Sequence, residues 1–185
     1  VLLLTDYFKE RKMDKKILFE KVPFFIFAIV FGIMAILAQK SFEAVELIKI
    51  ISFPQRLIFA GYGFMVYLFK SIFPFNLSAY YPYPMNDIGI YIPKEYYSVF
   101  ILSILLIIFT IYSKAFTKRI IFGIGFYSIT IFLVLELLPV GKIMMADRYS
   151  YIPSIGIFYL AGEGIMMLIK RGKKIPAVIL LCFFS

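Results

Sequence analysis

The charged and aromatic residues best suited to chemistry lie in two loops between long apolar segments. One loop falls within ELLPVGKIMMADRYSYIPSIG, Glu136 to Gly156, and the other is FPFNLSAYYPYP, Phe73 to Pro84. An arginine at a membrane edge presents a planar fork of donors that suits a phosphate, and nearby lysines add positive charge. The loops therefore predict either a phosphate site beside lipid, formed by Arg148 with Lys70 and Lys142, or an Arg148 that pairs with Asp147 or Glu136 and anchors lipid headgroups.

Acids and tyrosines in and beside these loops complete the set of candidate site residues. Asp147 is expected either to orient Arg148 or an incoming hydroxyl, or to cap the helix that follows. Glu136 lies at the end of an apolar segment, where a carboxylate either has a function that offsets its cost or simply reaches water at the outer edge. Tyrosine rings fit either stacking on a sugar or an ordinary aromatic belt at a membrane surface. These tyrosines are Tyr80, Tyr81, Tyr83, Tyr149 and Tyr151.

Glu163, between two glycines in another apolar segment, has two interpretations. It is expected to take part in ion pairing or proton relay, or to form a structural hydrogen bond between close-packed helices.

The residue counts exclude several kinds of site. With no His and a single Cys, neither a His/Cys metal site nor an internal disulfide can form within this sequence. A carboxylate-bound divalent ion remains open, although no clustered acidic motif points to one. The sequence has no phosphate-binding Gly loop, no Ser/His or Cys/His pair and no close acid pair of the glycosidase kind. No metal and no cofactor are predicted.

The composition is that of a membrane protein. Hydrophobic residues make up 62% of the chain, charged residues only 17%, and the mean hydropathy is +0.91. A soluble core in a chain of 185 residues cannot enclose that much Phe, Ile and Leu, whereas a bilayer solvates it from outside. The net charge of +9 is expected from Lys and Arg beside membrane segments, so the predicted partner is a lipid bilayer and not nucleic acid.

The apolar segments predict an all-α, polytopic transmembrane helical bundle, forming a single membrane domain over residues 1–185. Five full spans and a truncated sixth are expected, because these runs approach the ~20 residues that a span needs. Their approximate ranges are 22–38, 55–73, 96–112, 120–138, 152–169 and 175–185. Two crossings separate the two polar-aromatic loops and would place both on one side. Since both ends fall within apolar runs, the chain is expected to be an internal fragment.

Charge does not orient the bundle by itself. The 20 Lys and Arg residues divide evenly between the two sides, so the positive-inside rule gives a tie. The compact basic turns at 114–119 and 170–174 contain almost no acids, which favours placing them in the cytoplasm and both loops outside. The predicted location is a multi-pass position in a membrane, the bacterial cytoplasmic membrane in preference to the endoplasmic reticulum.

The two loop motifs resemble a known family. FPFNLSAYYPYP, followed by LLPVGKIMMADRYSYIPSIG, is similar to the C-terminal part of the membrane region in transmembrane-and-tetratricopeptide-repeat proteins. These resemble GT-C type glycosyltransferases related to the protein O-mannosyltransferases. The resemblance runs from about Asp6 to Leu168, and the PVG...ADRYSYIPSIG run is its most specific part.

The resemblance implies transfer of a sugar from a polyprenyl- or dolichyl-phosphate carrier to a protein Ser/Thr hydroxyl outside the cytoplasm. The lipid-phosphate-linked sugar would be the donor substrate and a protein the acceptor. The family's general base lies upstream of this chain, so the resemblance transfers only site-lining residues: Asp147, Arg148, Tyr149 and Tyr151. Two alternatives stay open: a lipid-linked oligosaccharide polymerase, ligase or transporter, and a non-catalytic membrane anchor for a tetratricopeptide-repeat scaffold.

Overall fold

A computed structural model describes the chain over residues 1–11, 14–40, 51–86, 89–112, 117–135 and 143–184. The structure is mostly helical, at 75%, with seven α-helices in these ranges. The helices are α1 (Leu2–Phe8), α2 (Lys15–Lys40), α3 (Phe53–Ile72), α4 (Lys94–Tyr112), α5 (Lys118–Phe132), α6 (Tyr151–Lys170) and α7 (Lys174–Phe184).

Four short strands accompany the helices. They are β1 (Tyr81–Pro82), β2 (Met85–Asn86), β3 (Gly89–Ile90) and β4 (Ile143–Met145). The pairs β1–β4 and β2–β3 are both antiparallel. The first pair joins the two polar-aromatic loops, which are far apart in sequence.

The expected bundle of five full spans and a truncated sixth is wrong. Among the described residues, two helical segments are long and apolar enough to cross a membrane, Ile17–Met34 and Asp147–Lys170. They correspond to the first and fifth of the predicted spans. The prediction counted uncharged runs, whereas a span also requires a continuous helix of sufficient length.

The remaining predicted spans fail for identifiable reasons. Helix α5 has 15 residues and α7 has 11, which is below the ~20 residues that cross a bilayer. Helix α4 has 19 residues, of which the first two, Lys94 and Glu95, are charged. Helix α3 has 20 residues, but Arg56 and Lys70 lie within it, and one of its faces is buried. These helices pack against one another around a core.

Helix α2 stands apart from this core. Only 11% of its apolar segment, Ile17–Met34, is buried. It is tied to α1 by an ion pair between the buried side chains of Lys21 and Asp6. Pro23 follows within the helix and has no backbone N–H to donate. The segment Ile17–Met34 therefore presents most of its apolar surface outward.

Helices α5 and α6 pack closely, because glycines face each other at their crossing. A Cβ atom at Gly156 would lie 2.6 Å from the carbonyl oxygen of Gly123 and 2.9 Å from the backbone nitrogen of Tyr127. A Cβ at Gly123 would lie 2.5 Å from Leu160. The crossing therefore requires glycine on both helices, and it fixes α6 against α5.

Buried tyrosines hold the core together and reach the loop before α6. The Tyr127 hydroxyl donates to the carbonyl of Phe64 on α3 at 2.7 Å, and burial raises the pKa of Tyr127, so this proton is retained. The Tyr67 hydroxyl accepts from the Ala146 N–H at 2.9 Å and lies 3.2 Å from its carbonyl oxygen. Helix α3 thereby fixes the backbone immediately before Asp147.

Candidate functional site

The two polar-aromatic loops meet above α3 and the start of α6. Strand β1 pairs with β4 with Tyr81 opposite Met145, and the chain then forms a single 3-10 turn, Asp147–Ser150, that runs into α6. Tyr67 on α3 binds the backbone of Ala146, and Tyr81 of β1 pairs with Met145. The two residues before Asp147 are therefore both held in place, and this fixes the position of Asp147.

Asp147 connects these two loops. Its Oδ2 atom accepts a hydrogen bond from the Ser78 N–H at 2.6 Å and another from the Tyr81 hydroxyl at 2.7 Å. The Asp147 N–H in turn donates to the Ser78 carbonyl at 3.4 Å. The residue is 8% exposed. A carboxylate that accepts two hydrogen bonds in a buried position holds the loops together, and it neither caps α6 nor orients Arg148.

Lys70 supplies the opposite charge. Its ammonium nitrogen lies 3.4 Å from both carboxylate oxygens of Asp147 and donates to the Asn76 carbonyl at 3.0 Å. It also contacts the Tyr81 hydroxyl and lies 4.2 Å from the centre of that ring. Lys70 is therefore neutralised by Asp147 and largely enclosed, which leaves it little capacity to bind a phosphate.

Asn76 shapes the loop around this cluster. Its φ angle is +50°, a left-handed conformation that Asn adopts more readily than most residues. The turn directs the Asn76 carbonyl toward Lys70 and toward the Tyr81 hydroxyl, at 3.0 Å from each. The backbone of this loop is therefore part of the cluster.

An open cleft of about 690 Å³ lies beside the cluster. One wall comes from the loop that contains Leu77 and Ser78, and the other from Tyr151, Ser154 and Phe158 at the start of α6. The α6 residues are spaced three and four apart, so they share one face of the helix. The cleft thus has polar groups at its loop end and an apolar wall that follows α6.

Arg148 lies at the edge of this cleft. Its guanidinium rests 5.2 Å from the Tyr149 ring centre and 3.5 Å from the Tyr149 hydroxyl. Asp147, the adjacent acid, is turned toward Lys70. No carboxylate of the described residues lies within ion-pair distance of Arg148. Arg148 is therefore the cation in the cleft best placed for an anionic ligand.

The structure brings together five of the candidate residues that the sequence singled out. Lys70, Tyr81 and Asp147 form the cluster, while Arg148 and Tyr151 line the cleft with it. Tyr149 is different, because it packs against the hydrophobic core and reaches the site only through Arg148. Glu136 and Lys142 lie outside the described residues.

Glu163 lies far from this cluster, near the other end of α6. One of its carboxylate oxygens accepts from Arg119 on α5 at 2.9 Å, and the other accepts from the Tyr159 hydroxyl at 3.2 Å. Glu163 thus has an ion-pair partner across the α5–α6 contact.

Sequence reasoning missed the backbone groups of the site. The Ser78 N–H binds the Asp147 carboxylate, and the Asn76 carbonyl accepts a hydrogen bond from Lys70, so backbone groups help to position both charged side chains. Backbone groups leave no residue-type pattern. The nearest signal was the Asn76-Leu77-Ser78 tripeptide, which matches an N-glycosylation pattern and contains both residues.

The arrangement can bind an amphipathic anion. The cluster of Lys70 and Asp147 is neutral, Arg148 adds one positive charge, and the serine hydroxyls and α6 side chains of the cleft contribute polar and apolar surface. No group of three or more His, Cys, Asp or Glu side chains is found in the described ranges that could hold a metal ion. No protein-family model, curated protein or solved structure matches this chain.

Proposed function

We propose that this chain is part of an integral-membrane glycosyltransferase that takes a sugar from a polyprenyl- or dolichyl-phosphate donor and places it on a protein Ser/Thr hydroxyl on the extracytoplasmic side. The observation that carries the proposal is Arg148, which has no carboxylate within ion-pair distance among the described residues and lies in a cleft at the start of a helix apolar enough to cross a membrane. In a phosphate attached to a long lipid, the phosphate needs a cation and the lipid needs an apolar surface that leads into the membrane.

The cleft gives each part of the donor a partner. The phosphate binds the guanidinium of Arg148, which offers paired N–H donors. The prenyl chain follows Tyr151 and Phe158 along α6 toward the hydrocarbon layer. As the sugar leaves, charge develops on the phosphate, and a cation fixed beside it stabilises the transition state. Asp147 acts as a positioning residue, because its hydrogen bonds to Ser78 and Tyr81 hold the loop wall of the cleft.

One observation favours the alternative of a non-catalytic anchor. Asp147 is the carboxylate that the cleft contains among the described residues, and it is engaged by Lys70, Ser78 and Tyr81. The cleft therefore supplies phosphate binding and no general base for the acceptor hydroxyl. In the proposed enzyme the base comes from another part of the protein, whereas an anchor has no base and need not bind the donor.

Binding of the lipid-phosphate donor distinguishes the proposed enzyme from a non-catalytic anchor. With the chain in lipid nanodiscs and a fluorescent polyprenyl-phosphate as the probe, Arg148→Ala is expected to weaken binding about tenfold or more, because it removes a charge-assisted contact. Lys94→Ala, which removes one positive charge at the start of α4 and outside both clefts, is the control and leaves the affinity unchanged. Equal affinity in wild type and Arg148→Ala, or equal loss in both variants, contradicts the proposal.

Transfer is tested in the full-length protein. Arg148→Ala is expected to lower sugar transfer while membrane insertion, measured by resistance to alkaline extraction, stays intact. A monomeric lipid-phosphate sugar and a lipid-linked oligosaccharide are compared as donors, since a polymerase or ligase uses the second. Unchanged transfer by the variant refutes this role of Arg148.

A further inference from the structure

A second cleft lies at the other end of α6. It has a volume of about 780 Å³ and opens between the start of α5 and the last turns of α6. Its floor is apolar, with Ile120, Leu160, Met166 and Met167 among the lining residues. The cleft exists because α6 continues beyond the point where α5 begins, so the last turns of α6 lack a partner from α5.

Four cations surround this cleft, and two of them are compensated. Lys118 pairs with Glu10 at 2.5 Å, and Arg119 pairs with Glu163 at 2.9 Å. Lys170 and Arg171, at the end of α6, have no carboxylate within ion-pair distance among the described residues. The open end of the cleft therefore carries two exposed positive charges without a counter-ion from the described residues.

We propose that this cleft binds one anionic phospholipid, with the headgroup phosphate at Lys170 and Arg171 and an acyl chain against the apolar floor. The inference rests on α6 crossing the membrane and does not depend on sugar transfer. Since the proposed donor cleft lies at the start of α6, the two clefts would face opposite leaflets.

The shape of the cleft fits an acyl chain. A Cβ atom at Gly164 would have no atom within 4 Å, so the glycine leaves open space on the cleft side of α6. Met166 and Met167 are flexible and polarisable side chains that adapt to an irregular hydrocarbon chain. A free phosphate ion would bind the two cations and leave this apolar surface unoccupied. Occupation of the apolar floor therefore distinguishes a phospholipid from inorganic phosphate.

The first test removes the charges. Binding of phosphatidylglycerol and of phosphatidylcholine to the purified chain in detergent is compared by native mass spectrometry. The double substitution Lys170→Gln with Arg171→Gln is expected to weaken phosphatidylglycerol binding about 30-fold, from the contribution of each cation near a lipid surface. Lys15→Gln with Lys94→Gln removes the same charge from two other helix starts and serves as the control. Equal loss in both double variants means non-specific attraction and overturns the site.

The second test fills the cleft without changing any charge. Gly164→Leu is expected to reduce phosphatidylglycerol binding several-fold. Gly162→Leu is its matched control, because Gly162 is on the same helix, also has no atom within 4 Å of a built Cβ, and does not line the cleft. Folding is preserved in both, since leucine favours a helix more than glycine does. If Gly164→Leu binds the lipid normally, or if excess inorganic phosphate displaces it, the acyl-chain site is refuted.

Discussion

Replacing Gly156 by alanine tests the contact on which the site is built. The added methyl carbon would lie 2.6 Å from the carbonyl oxygen of Gly123 and 2.9 Å from the backbone nitrogen of Tyr127. Both are backbone atoms, so neither can rotate away, and the helices must separate. Inserting an extra carbon into a close-packed contact costs about 1–3 kcal/mol, and a backbone clash belongs at the upper end of that range.

Gly162→Ala is the matched control for this substitution. Both glycines lie in α6, so both substitutions gain about 0.8–1 kcal/mol of helix propensity, but a Cβ at Gly162 has no atom within 4 Å. The difference between the two variants therefore isolates the steric cost, and it should reach about 3 kcal/mol. For a chain of this size this corresponds to a Tm about 6–12 °C lower for Gly156→Ala than for Gly162→Ala.

Thermal unfolding in detergent, followed by circular dichroism, measures this difference. If the two variants unfold at the same temperature, α5 and α6 do not pack at the described distance. The described positions of both clefts along α6 would then also be wrong, because the glycine contact determines how far α6 is shifted along α5.

Two further predictions concern polar contacts. Tyr81→Phe removes the hydroxyl that donates to Asp147 at 2.7 Å and is expected to lower the free energy of unfolding by about 1.5 kcal/mol. Tyr80→Phe, on the exposed neighbour, should change it by less than about 0.5 kcal/mol, and equal effects in chemical unfolding would contradict the assignment. The hydrogen bond from Lys21 holds the pKa of Asp6 below its ordinary value of 3.8, so the stabilisation is present above that pH and is lost as the pH falls through the lowered pKa. The Tm of wild type should therefore exceed that of Asp6→Asn at pH 6 and converge with it as the pH falls through the lowered pKa of Asp6, and a constant difference would contradict this ion pair.

The sequence predicted that the two loops lie on one side of a membrane, but it did not predict that they pair with each other. Charged and aromatic residues concentrated around Lys70, Tyr81 and Asp147 marked both loops, and the structure joins them through β1–β4 and Asp147. Charged and aromatic side chains of this kind can be recognised directly from the residue types in the sequence. The pairing of Lys70 with Asp147 was not predicted, because it depends on the turn at Asn76 and on the backbone of Ser78.

The number of spans was wrong because hydropathy alone does not separate lipid-facing from core-facing apolar residues. In α3, Phe59, Phe64 and Tyr67 are buried against other elements of the protein, not against lipid. The segment that forms α5 was apolar enough to suggest a span, but its helix has only 15 residues. Helix α2 shows the opposite arrangement, since its apolar surface has almost no protein partner. Tertiary packing, which periodicity does not encode, decides between these outcomes.

The attachment of α2 has a mechanical consequence. The ion pair of Lys21 with Asp6 holds its first turns, and Pro23 interrupts the backbone hydrogen bonds two residues later. The part of α2 beyond Pro23 is about 26 Å long at 1.5 Å per residue, and it has little lateral support. A change of about 20° in the bend at the proline moves its far end by about 9 Å. The position of the far end of α2 is therefore sensitive to the backbone geometry at Pro23.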